Sequence, residues 1–447
     1  MTGGAPSASL PRDWTGFQWI SRGDPLPHMN IGIVCQKAST GGWRYTLMLA
    51  CALKRLASRP RVTVHCQARR LPPGGLETLE SAGVEVVRLP KPPAMTSPWP
   101  PSPKRFVGLK AVDQGLHVLR RCWTETTRAG RGRRLARAVA DHDVVHFAWP
   151  YDLDPPAVTV PMSFIPHDFI HTHDFGVANY GQRAWIATRQ AHERWLASAA
   201  PIVSSDFIAH ELRRTFPGYA GPVDVVYLSS LYPAPAAGID PRAVAEMRRR
   251  FGLPERYILC PNNIMPHKNL SSLLAALWHM RQGGSDVQLV ICGAETDGIR
   301  ATVGSPLYAD RTDSATAWDV LGLGLVSDAD LLALVHGALI VVNPSLCEAG
   351  SGSALDAWGS GCPVALSDIP AFRDQVRVLG ASAEFFDPRD PRDIARVLLG
   401  MLAAPDRSAH AATAARAALA RYGWDDVAAG YLAFFERLLG SPRRGRG

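Results

Sequence analysis

Short apolar runs alternate with amphipathic stretches along most of this chain, and the hydrophobic period switches repeatedly from strand-like to helix-like. Asn30-Ile-Gly-Ile-Val-Cys35 is a compact apolar run, Ser39-Thr-Gly-Gly42 follows it as a glycine loop, and the spacing from Arg44 to Leu56 predicts a helix. Further strands are predicted at Val62–Cys66, Val84–Leu89, Val144–Phe147, Ser163–Ile165, Pro201–Ser205 and Val223–Leu228, with helices at Leu76–Ser81 and Arg183–Ser198. After the joint Tyr232-Pro-Ala-Pro-Ala-Ala-Gly238 the alternation restarts. Strands are predicted there at Tyr257–Cys260, Val287–Cys292, Leu339–Asn343 and Pro363–Leu366, and helices at Leu270–Gln282, Asp328–Val335, Ser353–Trp358 and Pro391–Leu402. Strands that alternate with helices need crossover connections, which specify parallel sheets covered on both faces. The expected fold is α/β: two doubly wound Rossmann-like domains with a cleft between the C-terminal ends of their strands.

The boundaries follow from the breaks in this pattern. Residues 1–28 mix Gly, Pro, Ser and charges without the apolar run of a secretion signal, and read as a loose N-terminal extension. The domains are expected at 29–235 and 236–421, with a basic tail at 441–447. Pro90 to Pro103 is proline-dense and predicts an irregular loop. Beyond it, residues 104–137 carry Lys104, Arg105, Lys110, Arg120, Arg121, Arg128, Arg131, Arg133, Arg134 and Arg137 against only Asp113 and Glu125. This stretch is either a solvated helical face or a contact for an anionic membrane or phosphorylated acceptor.

With 447 residues, of which 47% are hydrophobic and 20% charged, the chain has room for two or three packed domains. It contains no run of about 18 apolar residues, so no spanning helix is predicted. The net charge of +8 favours anionic ligands, and charge alone does not imply nucleic acid, for which no partner role is expected. Eight cysteines are scattered and never form CxxC, the pattern of reduced thiols in a cytoplasmic protein.

The most informative stretch runs from Asn343 to Val364. A strand ends at Asn343, a turn carries Glu348, and Gly350, Ser351, Gly352 and Ser353 open a helix that later bears Asp356. The unpaired amides and dipole of such a helix start suit a phosphate or diphosphate, and carboxylates flanking it suit sugar hydroxyls. Two decoys are weighed and set aside. His167, His171 and His173 lack a carboxylate or Cys partner at ligand spacing, and Asp152-Leu-Asp154 is a short match in a Pro-rich turn, so no metal and no cofactor are expected.

From Tyr257 to about Leu399 the chain resembles the C-terminal domain of the retaining GT-B glycosyltransferases of family four, the group 1 glycosyl transferases that include mannosyltransferases. The family's E-x7-E signature stands here as Glu348 and Asp356, flanked by Gly324-Leu-Val-Ser-Asp328, Asn343-Pro-Ser345, Gly361-Cys-Pro-Val364 and Phe386-Asp-Pro388. The resemblance implies that Glu348 holds donor-sugar hydroxyls and that Asp356, one methylene shorter than the usual Glu, holds the ribose, with Val326 also lining the donor site. In Pro261-Asn-Asn-Ile-Met-Pro-His-Lys-Asn-Leu270, Lys268 matches the lysine that neutralises the departing diphosphate. The family's arginine falls at Asn262 or Asn263, and His267 is its expected partial replacement. In the N-terminal half, Gly41 and Gly42 match the glycine loop that approaches the diphosphate, and Pro166-His-Asp-Phe169 matches a His-Asp in which the histidine, here His167, faces the reacting sugar. Tyr422-Gly-Trp-Asp425 and Tyr431 resemble the terminal helix, 422–440, that crosses back to the first domain.

The implied activity is transfer of a hexose, with retention, from a nucleoside diphosphate sugar (GDP-mannose or a UDP-sugar) to a glycan or lipid-linked acceptor. Polysaccharide or glycolipid assembly on the cytoplasmic side, with peripheral contact at the inner face of the cell membrane, is the implied setting. Alternatives of the same fold are a nucleotide-sugar epimerase, a phosphorolytic enzyme, or a degenerate, non-catalytic binding partner.

Overall fold

A computed structural model describes residues 29–35, 40–67, 74–89, 132–151, 153–172, 174–230, 240–299 and 320–440. The N-terminal extension, the Pro90–Pro103 loop, the basic stretch through Arg131, the joint at 232–238 and the basic tail lie outside these residues.

The first half contains β1 (Asn30–Cys35), α1 (Thr40–Arg55), β2 (Arg61–Cys66), α2 (Gly75–Ser81), β3 (Glu85–Arg88), α3 (132–139), β4 (Val144–Phe147) and β5 (Met162–Phe164). It continues with α4 (Asp174–Tyr180), α5 (Gln182–Ser198), β6 (Ala200–Val203), α6 (Asp206–Thr215) and β7 (Asp224–Val225). Its seven strands form a parallel sheet in the order β3-β2-β1-β4-β5-β6-β7. The second half runs α7 (Pro241–Phe251), β8 (Tyr257–Cys260), α8 (Leu270–Gln282), β9 (Gln288–Ile291), β10 (Val320–Gly322), α9 (Asp328–Gly337) and β11 (Ile340–Asn343). Then come α10 (Gly352–Ser360), β12 (Val364–Ser367), α11 (Pro370–Leu379), β13 (Glu384–Phe386), α12 (Pro391–Ala403), α13 (Pro405–Leu419) and α14 (Trp424–Gly440). Its six strands are also parallel, ordered β10-β9-β8-β11-β12-β13.

Strands β4, β8, β11 and β12 are buried at every position, as strands covered by helices on both faces must be. Helix starts are set by side chains that satisfy orphan amides: Ser205, Ser327 and Ser351 cap α6, α9 and α10, and Asp240 and Asp390, each followed by Pro, cap α7 and α12. The last helix buries Trp424, Val427, Ala428, Tyr431, Phe434 and Phe435 in the core of the first domain, against β1, β2 and α1. A buried polar chain fixes it there. Tyr45 Oη donates to Tyr431 Oη at 2.8 Å, bonds His146 Nε2 at 2.8 Å, and His146 Nδ1 meets Ser163 Oγ at 2.9 Å.

Most predicted elements lie within one or two residues of their observed positions, and three differences matter. Gly41 and Gly42 occupy the first turn of α1 instead of a loop before it. The strand expected over Val223–Leu228 shrinks to Asp224–Val225, because the chain leaves the sheet edge there to meet the second domain. Helix α4 and strands β10 and β13 were not read from the sequence, since at seven and three residues they are too short for a period to declare itself. Amphipathic α6, α7, α11 and α13 were also missed, although their caps are legible.

Candidate active site

Both halves of the site grow from the C-terminal ends of parallel strands. On the second domain, β11 ends at Asn343, which is 2% exposed and organises the loop after it. Asn343 Oδ1 accepts from Asn262 Nδ2 at 3.1 Å, Ser345 N at 3.2 Å and Ser345 Oγ at 2.7 Å, while its Nδ2 donates to Ser351 Oγ at 3.0 Å. Ser345 Oγ also lies 2.8 Å from Glu348 Oε1, the oxygen that receives Lys268 Nζ.

Lys268 closes a 3-10 turn, Pro266–Lys268, and Asn269 after it adopts left-handed backbone at φ 54°. The buried Asn269 amide holds that turn by donating to Pro344 O at 3.0 Å and Pro388 O at 2.7 Å. Leu346 N donates to His267 O at 2.8 Å, so the lysine turn and the glutamate loop form one rigid unit.

At the start of α10, Ser351 N is taken by Gln375 Oε1 at 2.7 Å and Ala354 N by Ser351 Oγ at 3.1 Å. The amides of Gly352 and Ser353 remain for an anion, and a Cβ at Gly352 would meet open space. Val326 is half-buried just before the Ser327 cap of α9.

On the first domain, β5 leads into His167 and Asp168, whose amides both donate to Tyr151 Oη at 2.7 and 3.3 Å. His167 Nε2 sits 2.8 Å from Ala148 O, which can only accept, so the ring carries its proton on Nε2 and leaves Nδ1 as an acceptor. Burial depresses the His167 pKa, and the imidazole is neutral. Its ring packs edge-on against Tyr45 at 5.7 Å and beside Trp149 at 5.0 Å. Gly41 is exposed with open space at its Cα, and Gly42 is buried.

Three contacts join the domains around this site. Arg44 Nη2 meets Asp328 Oδ1 at 2.5 Å, Ser205 Oγ donates to Ala349 O at 3.3 Å, and Tyr180 Oη bonds His267 Nδ1 at 2.7 Å. Sequence reasoning named His267, quoted Ser345 within Asn343-Pro-Ser345 without a role, and missed Tyr180, Arg44 and Tyr151 as site residues, none of which carries a local signal. Ser205 was noticed without a role; it caps α6 and steadies the residue next to Glu348.

Two expected donor contacts are placed differently. Asn262 is buried, with its amide bound to Asn343 and to Cys260 Sγ, so its side chain serves as scaffold rather than facing a ligand. Asn263 Oδ1 accepts from Met265 N at 3.3 Å within the same loop. A Cβ at Gly293, whose φ is 150°, would lie 2.8 Å from the Asn262 carbonyl, so glycine permits the close approach of this loop. Asp356 is only 5% exposed and accepts from Ser230 Oγ at 3.1 Å, so it is tied to the segment that joins the domains. Cys347, beside Glu348, is an inert thiol whose pKa burial pushes up to about 12. Among the described residues no group of three or more His, Cys, Asp or Glu side chains is arranged to hold a metal, and His173 and Asp152 lie outside them. No helix among them is long and apolar enough to cross a membrane.

Residues 245–418 match the family model described as "Glycosyl transferases group 1". A D-inositol 3-phosphate glycosyltransferase of Salinispora arenicola is 34% identical over 212 residues, covering 44% of this chain and 45% of that protein. A phosphatidyl-myo-inositol mannosyltransferase of Mycobacterium tuberculosis is 28% identical over 214 residues, 46% of this chain and 53% of that one. The chain spans about half the length of the curated relatives it matches. Among solved structures, Anabaena Alr3699/HepE in complex with UDP and glucose superimposes with a TM-score of 0.65 at 16% identity, over 92% of this chain and all (100%) of that one. The sucrose-phosphate synthase of Thermosynechococcus elongatus gives 0.63 at 16% identity over 92% and 100% of the two chains. These two likenesses establish the two-domain GT-B fold.

Proposed function

From the match of residues 245–418 to the glycosyl transferases group 1 model, we propose that the protein moves a hexose from a nucleoside diphosphate sugar to an acceptor hydroxyl with retention of anomeric configuration. The observation that carries this reading is the Lys268–Glu348 pair beside the open amides of α10, with neutral His167 on the other domain. The diphosphate would lie against the Gly352 and Ser353 amides, where the helix dipole and Lys268 stabilise the charge that grows as the glycosidic bond breaks. Glu348 has one oxygen engaged by Lys268 and Ser345, and its second would accept from sugar hydroxyls. His167, with Nδ1 as acceptor, would orient a hydroxyl of the same sugar. Among the described residues no carboxylate on the acceptor side is an evident nucleophile, so same-face displacement through an oxocarbenium-like state fits better than a covalent intermediate. Domain closure would exclude water, whose attack would hydrolyse the donor.

GDP-mannose or a UDP-sugar is the donor we favour. The Mycobacterium relative is named a mannosyltransferase, and the Anabaena structure holds UDP and glucose. Asp356 would reach the ribose by exchanging Ser230 for its hydroxyls. A glycan or lipid-linked acceptor bound mainly by the first domain, at a cytoplasmic membrane face, completes the reading. The test is a thermal-shift panel of UDP, GDP, dTDP, ADP and CDP and their sugar conjugates on wild type and Lys268→Ala. A ligand at about a hundred times its Kd adds roughly 2.7 kcal/mol to folded stability. One nucleotide should raise the midpoint selectively and lose that effect in the variant; no response to any of them defeats the reading.

A further inference from the structure

Resting on the transferase reading, we propose that Tyr180 is a positioning residue for the donor diphosphate: reaching from the first domain to His267 Nδ1, it fixes the imidazole with its proton on Nε2, as a hydrogen-bond donor beside Lys268.

The geometry is specific. His267 and Lys268 are adjacent in one 3-10 turn, and the His267 carbonyl is bonded at 2.8 Å to Leu346 N in the glutamate loop, so the ring shares the scaffold of the Lys268–Glu348 pair. Tyr180 Oη lies 2.7 Å from Nδ1. The Tyr180 phenol keeps its proton, and we assign that proton to the bond with Nδ1, so that the ring nitrogen accepts. Among the described residues Nε2 has no hydrogen-bond partner, so its N–H is available to a ligand.

Charge state follows from everything that faces this pair. Burial lowers the His267 pKa, with Lys268 and His171 acting in the same direction, while Glu348 and Asp168 oppose them. Burial raises the Tyr180 pKa, with Asp168, Glu348 and Cys347 adding to the rise, so the phenol keeps its proton. A neutral ring with a fixed tautomer therefore stands where the family's arginine is absent and where the Asn262 amide is already engaged.

Tyr180 owes its place to tight packing. It ends α4, a helix that follows the loop bearing His167, and a Cβ at Gly176 would sit 2.2 Å from Ile170 O, so only glycine lets α4 lie so close to the preceding turn. The His171 ring, 4.6 Å away, packs on the Tyr180 ring. One loop of the first domain thus carries the histidine that faces the sugar and the tyrosine that sets the histidine of the second domain.

The experiment is calorimetric titration of wild type, Tyr180→Phe, His267→Ala and the double variant with UDP, GDP, UMP and GMP. Tyr180→Phe keeps the packing on His171 and removes only the hydroxyl. It should weaken the preferred diphosphate by about tenfold or more, the low end of the range for a lost hydrogen bond to a charged oxygen, and leave the matching monophosphate within about twofold. In the His267→Ala background, Tyr180→Phe should have no further effect. Equal loss for di- and monophosphate, or additive losses in the double variant, overturns the role of Tyr180 and leaves the transfer reading standing. Absence of nucleotide binding by wild type overturns both.

Discussion

Lys268 and Glu348, 80 positions apart in the chain, form an ion pair whose side chains are 17% and 12% exposed. Each would be costly to keep there without the other, because a shielded charge needs a partner, and a nucleotide sugar would offer each a replacement. Glu348→Ala should therefore reduce transfer by at least about 100-fold, as loss of a group aimed at the reacting sugar does. Nucleotide release monitored with acceptor present, beside a melting curve that still shows one cooperative transition, checks this. Near-normal turnover would remove Glu348 from the site.

Arg44 and Asp328 meet at 2.5 Å across the cleft, with side-chain exposures of 15% and 50%. The Asp328 end is half open to solvent and screened there, which keeps the contribution of the pair to stability small, so Arg44→Ala should shift the unfolding free energy by about 1 kcal/mol or less. It should instead favour the open form, seen as a larger radius of gyration in solution scattering and a higher donor KM. Added salt should bring the wild type toward the variant in both measurements.

The Tyr45 hydroxyl sits between His146 and Tyr431 in a buried chain that secures α14 to the first domain. Tyr45→Phe strands both neighbours without water to replace the lost partner, and should destabilise the protein by about 1–3 kcal/mol. Tyr431→Phe should cost less, because Tyr45 Oη still accepts from His146 Nε2 and only its own proton loses a partner. Urea titration of the two variants gives the order, and the reverse order would show that the chain is wired differently.

Acid should unfold this protein through its buried histidines. Burial lowers the His65 pKa to about 4, with His142 adding to the shift and Glu85 opposing it; burial lowers His146 to about 3. The ordinary value is 6.5, so from pH 6.5 down to about 4 the unfolded chain takes up a proton at His65 that the folded chain refuses, and stability falls with pH. The slope for one such group is at most about 1.4 kcal/mol per pH unit. His65→Gln should flatten the stability profile by about that amount between pH 6.5 and 4 and leave it unaltered above pH 7. A parallel profile would mean that His65 does charge in the folded state.

The alternation of apolar runs and helices was enough to read two parallel α/β halves, because a strand covered on both faces must be apolar throughout and a surface helix must carry one apolar stripe. The course of the chain from Asn343 to Asp356 was legible for a related reason: a strand end, a serine cap and small residues lie in one continuous stretch, so the helix start is written locally. The placements of Lys268 in the turn before α8 and of His167 on the loop after β5 were legible too.

What no local stretch could encode is which side chains these loops would meet. Asn262 looked like a donor ligand and became scaffold because Asn343 stands 3.1 Å away; Asp356 turned to Ser230; Tyr180, at the end of a seven-residue helix without a readable period, reached His267. Those pairs are separated by 81, 126 and 87 residues: Asn262 and Asn343 meet because β8 and β11 are neighbours in one sheet, Ser230 reaches Asp356 from the segment that joins the domains, and Tyr180 reaches His267 from the other domain. Hydrophobic burial is dictated by the order of residue types along the chain, whereas hydrogen bonds across the cleft depend on ångström-scale placement that the folded domains alone provide.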